Sequence, residues 1–139
     1  MSADLAVFLP DEARFSADGW VQLAGSFGLG LTFPEGFDLA DQSGYLPCRV
    51  EVAGRPGVDA GFELDRVDTD TGEPAHFGVS VAAGDTDLDW ALALMFALYG
   101  VAGCDGAAYD PQEGVEYTAD NVPDLEAEVR HWLGLAQLG

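Results

Sequence analysis

The chain has 139 residues, 48% of them hydrophobic, enough for one domain with one sizeable core. Its 25 acidic residues face five arginines and no lysine, a net charge of −20 that argues against nucleic acid or an anionic membrane as a direct partner. Three Trp, eight Phe and four Tyr supply the burial that disordered chains lack.

Asp4 to Leu9 reads as an opening strand closed by Pro10. Met1 to Arg14 has no basic start of the kind a secretory signal carries, so a cytoplasmic protein is expected. In FSADGW, Ser16 suits a helix N-cap, and Phe15 and Trp20 take the two positions of a hydrophobic staple. Trp20, Leu23, Ala24 and Phe27 then share one helical face. The glycines from Gly25 to Gly30 trail this helix and have no lysine after them, so they read as a cap and turn and not as a phosphate loop.

Four strands follow, at Gly30–Phe33, Tyr45–Val52, Gly61–Val67 and Phe77–Ala82, and the turn Gly54–Gly57 makes the second and third an antiparallel hairpin. Thr86 to Val101 is a helix that is apolar on every side after its first turn, which predicts burial against a sheet. Its apolar run, Trp90 to Ala102, covers 13 residues against the roughly 20 needed to cross a bilayer. Trp90 and Phe96 in it would serve equally in a core or in a homodimer seam. Ala107–Asp110 and Gly114–Tyr117 read as short strands around a turn. Asn121-Val-Pro123 opens a last helix with the stripe Leu125, Val129, Trp132, Leu133 and Ala136. This order predicts an α+β fold, a single domain over residues 1–139 in which about three helices pack against a mostly antiparallel sheet.

The stretch DTDTGE, Asp68 to Glu73, holds the Asp-Thr-Gly of aspartic proteases. Acidic neighbours on both sides oppose the shielded, shared proton that such a dyad needs. Nor does it make a calcium loop: counted from Asp68, Glu73 falls where glycine is required and Val79 where glutamate is; counted from Asp85, those places hold Trp90 and Phe96. Asp85, Asp87 and Asp89 have a structural account, with Thr86 as N-cap, Asp89 closing a capping box, and all three near the positive end of the helix dipole. Asp124 and Glu126 play that part in the last helix, where Glu126 also faces Arg130. Cys48, His76, Cys104 and His131 lie too evenly along the chain for a local zinc motif, so neither a metal nor another cofactor is expected.

DTDTGE therefore reads as an acidic hairpin loop. Glu63 and Asp65 share one face of the strand leading into it, so Glu63, Asp65, Asp68, Asp70 and Glu73 form the densest local charge outside a helix. The patch is either a solvated edge that discourages aggregation or a surface that docks a basic partner.

The segments AVFLP, the Trp-bearing helix, SGYLPCRVEV, AGFELD and YDPQEG together resemble a family of small acidic bacterial proteins of uncharacterised function. In kind, the chain is similar to the immunity proteins of bacterial toxin systems. That resemblance implies a non-enzymatic antitoxin whose carboxylates steer onto a basic protein surface. Three alternatives stay open: a DNA mimic that inhibits a nucleic-acid-binding enzyme, a small enzyme built on a carboxylate or Cys104, and a protein whose charge is only an adaptation to high salt. The mimic calls for a long two-row track of acids, the immunity protein for a compact patch with apolar neighbours.

Overall fold

A computed structural model describes residues 3–10, 14–35, 37, 44–52, 56–67, 75–81 and 86–136. It contains β1 (Ala3–Leu9), α1 (Ala17–Ser26), β2 (Gly30–Thr32), β3 (Tyr45–Glu51), β4 (Val58–Val67), β5 (Ala75–Val81), α2 (Asp87–Gly103), β6 (Ala107–Asp110), β7 (Val115–Tyr117) and α3 (Val122–Leu135). The class is α+β: a seven-stranded open sheet in the order β2-β3-β4-β5-β1-β6-β7, antiparallel throughout, with three helices packed against it.

Period-two alternation sorts each strand into an inner and an outer row. Leu5, Val7 and Leu9 of β1, Leu46, Cys48 and Val50 of β3, Phe62 and Leu64 of β4, and Phe77, Val79 and Val81 of β5 are all buried. Over them lies α2, buried from Leu88 through Leu98 as its apolar sequence requires. Trp90 and Phe96 are therefore spent inside the chain, which removes them from any dimer seam. Phe96 meets the rings of Phe15, Trp20, Phe62 and Phe77 at centroid distances of 5.3 to 6.2 Å.

Local chemistry sets the helix ends. Ser16 Oγ accepts the Gly19 N–H at 3.0 Å, and the Phe15 and Trp20 rings meet edge to face at 5.9 Å, so cap and staple both form. Gly28, at φ +82°, takes the left-handed turn that lets the chain leave α1. Thr86 and Asp89 form the capping box of α2, and Glu126 meets Arg130 at 3.2 Å on α3.

Two features go beyond the expected elements. β4 starts at Val58, earlier than Gly61, because its pairing with β3 runs on to Val50↔Val58. The motif YDPQEG is a turn that also serves as a clasp. Buried Asp110 accepts the Gln112 and Glu113 N–H groups, while the Gln112 amide exchanges hydrogen bonds with both backbone groups of Asp4, at 2.8 and 2.9 Å. Pro47, a residue that interrupts most strands, costs nothing here. The Leu64 N–H to Gly44 O bond sets the pairing phase, so the Pro47 nitrogen faces away from β4, past the end of β2.

Candidate functional site

Every buried side chain among the described strand residues lies on the helix side of the sheet. The opposite face carries Glu63 and Asp65, the two described members of the acidic patch. Asp68, Asp70 and Glu73 fall outside the described residues; the strands they join, β4 and β5, pair antiparallel.

Cross-strand register gives the face its layout. One row runs Tyr45, Glu63, Ser80, Asp4 across β3, β4, β5 and β1. The next runs Asp65, Gly78, Ala6, Tyr109, Glu116 from β4 to β7, and a third holds Val67, His76, Phe8 and Ala107. With strands about 4.8 Å apart, Glu63 and Asp4 stand roughly 10 Å from each other. Gly78 and Ala6 form a low floor between Asp65 and Tyr109. Tyr45, Tyr109 and Val67 stand out of the face at 54%, 42% and 42% exposure. Phe8 and His76 stack at 4.4 Å, giving the third row a flat aromatic surface.

Asp65 is positioned as well as charged: its carboxylate accepts the Gly44 N–H at 2.7 Å, tying β4 to the start of β3. Arg49, on the same face, is shared between Asp59 at 3.2 Å and Glu51 at 3.5 Å. Arg66 lies over the Phe77 ring at 5.6 Å, Arg130 over Phe27 at 4.7 Å, and Arg14 pairs with Asp105. Each described arginine is thus engaged within the chain.

A hollow of about 400 Å³ opens beside Tyr45, where β3 outruns β2, and its walls include Thr32, Phe33, Pro34 and Pro47. Cys48 also lines it, but its thiol is pushed up to about 12 from the usual 9.0, first by burial and then by the charge of Asp89. A thiol held that high is not a nucleophile at neutral pH, and Cys104 is fully buried. Ellman's reagent at pH 8 should therefore label neither cysteine in the folded protein and both in urea. The folded state holds the Cys48 proton more tightly than the unfolded chain, so this contribution to stability is intact below about pH 9 and is lost as pH rises towards 12. Among the described residues, no three His, Cys, Asp or Glu side chains converge as metal ligands, and no helix is long and apolar enough to cross a membrane.

Alternation in ADLAVFL is a signal that could have put Asp4, Ala6 and Phe8 on one face. Pairing was needed to place them beside Glu63 and Asp65, because β1 joins the sheet next to β5, far along the chain. No family model matches the chain, and no curated protein or solved structure is significantly similar to it.

Proposed function

We propose that the protein is a non-enzymatic inhibitory binding protein, of the immunity or antitoxin kind, which docks a basic protein surface on the open face of its sheet. The observation that carries this reading is the interleaving on that face of Glu63 and Asp65 with exposed Tyr45, Tyr109 and Val67. Carboxylates raise the encounter rate with a basic partner, and aromatic anchors set how long the complex lasts. A DNA mimic would favour an unbroken track of acids. Here Tyr109, Ala6 and Gly78 separate Glu116 from Asp65, which fits a protein partner better.

The experiment is capture from lysate at low salt, followed by kinetics of the purified complex. Glu63→Lys combined with Asp65→Asn is expected to slow association about tenfold or more in low salt and to change dissociation little. Asparagine at 65 keeps an acceptor for Gly44 and removes only the charge. Tyr45→Ala should mainly speed dissociation. Association rates equal to wild type at low salt would remove the face from the interface and the proposal with it.

A further inference from the structure

A second concavity lies on the helix side of the sheet, between α3 and the edge strand β7, with a volume of about 530 Å³. Tyr117 and Trp132 give it aromatic walls, Glu113 and Glu128 supply carboxylates, and His131 sits at its rim. Trp132 is braced by an edge-to-face contact with Trp90 at 6.5 Å, so this wall is set before any ligand arrives. The Tyr117 phenol senses the surrounding charge: its pKa is raised, first by burial and then by Glu128, Asp110, Asp124 and Glu113. The cation that α3 itself carries, Arg130, is directed elsewhere, to Glu126 at 3.2 Å and over the Phe27 ring at 4.7 Å.

Aromatic rings beside carboxylates that no described cation neutralises complement a weakly hydrated organic cation, which gains from ring and charge together. We infer that this cleft binds an ammonium or guanidinium group, either the side chain of an arginine or lysine in a partner polypeptide or a free alkylammonium ion. It is spatially separate from the open face and does not depend on what that face docks.

The test is an amide NMR titration at pH 8. Its probes are tetramethylammonium chloride, ethylguanidinium chloride and the amidated peptide Gly-Arg-Gly, each against sodium chloride at matched ionic strength. Saturable shifts are expected at Tyr117, Glu128, His131 and the Trp132 indole N–H. The double variant Glu113→Gln/Glu128→Gln alters two exposed side chains and should weaken binding at least about fivefold, as two exposed charge contacts warrant. Tighter binding of the peptide than of the free ions would identify a polypeptide side chain as the source; the reverse order would identify a small molecule. Shifts no larger than those with sodium chloride, or equal affinity in the double variant, would overturn the inference.

Discussion

Replacing Asp89 with alanine is expected to destabilise the protein by about 3 kcal/mol, the sum of a lost helix cap and a stranded buried donor. Asp89 is only 8% exposed, yet its carboxylate is well satisfied. One oxygen accepts the Thr86 N–H and hydroxyl, both at 2.8 Å, closing the capping box of α2. The other accepts the Gly61 N–H at 2.9 Å. Gly61 lies two residues before Glu63, the last β4 residue paired with β5 at that end, and its N–H is taken by the Asp89 carboxylate instead of by a described strand residue. Asp89 thus supplies that N–H with a partner and fastens the start of α2 to β4. Asparagine at 89 keeps one acceptor and should cost roughly half as much. Urea unfolding checks both variants: an alanine loss below about 1 kcal/mol would mean that water replaces the carboxylate at both ends.

The second large effect is expected at Gly61, through its missing side chain. A Cβ there would sit 2.4 Å from the Leu46 carbonyl oxygen and 2.6 Å from the Tyr45 hydroxyl. The tyrosine can swing away, but the carbonyl belongs to the paired strand and cannot. Gly61→Ala should therefore cost about 3 kcal/mol, the upper end of overpacking penalties. Gly78, on the same face, is the control: its nearest neighbour to a built Cβ is the Asp65 carbonyl oxygen at 3.9 Å. Gly78→Ala should leave stability unchanged or raise it slightly, since alanine loses less chain entropy than glycine. If the two variants unfold at the same denaturant concentration, close strand approach does not explain Gly61.

Much of this architecture was legible because it rests on local rules. Ser16 and Thr86 announce their helices, the unbroken apolar run announces a buried α2, and YDPQEG announces a turn. Non-local features were not legible. Asp89 satisfies every local expectation of a capping residue, so nothing nearby signals that its second oxygen reaches Gly61, 28 positions earlier. The layout of the open face was half legible in the same way: Glu63 and Asp65 share a face by alternation in β4, while Asp4, Tyr109 and Glu116 join that face only through pairings that a single sequence does not encode. The aromatic cleft under α3 went unseen because Trp132 reads as part of the apolar stripe of the last helix, and Tyr117 joins it only through the packing of α3 beside β7.

The order β2-β3-β4-β5-β1-β6-β7 has a consequence for how the chain reaches this state. Strands β2, β3 and β4 each pair with the next strand along the chain, and β6 pairs with β7, so both groups can assemble by short closures. β1 alone joins the two, and its partners Val79 and Ala108 lie at the far ends of very long loops from Leu5 and Val7. β1 has no mate until β5 has emerged, and the sheet stays in two pieces until β1 is seated. Its arrival is thus the slow, high-contact-order event that converts two local hairpin systems into one cooperative unit.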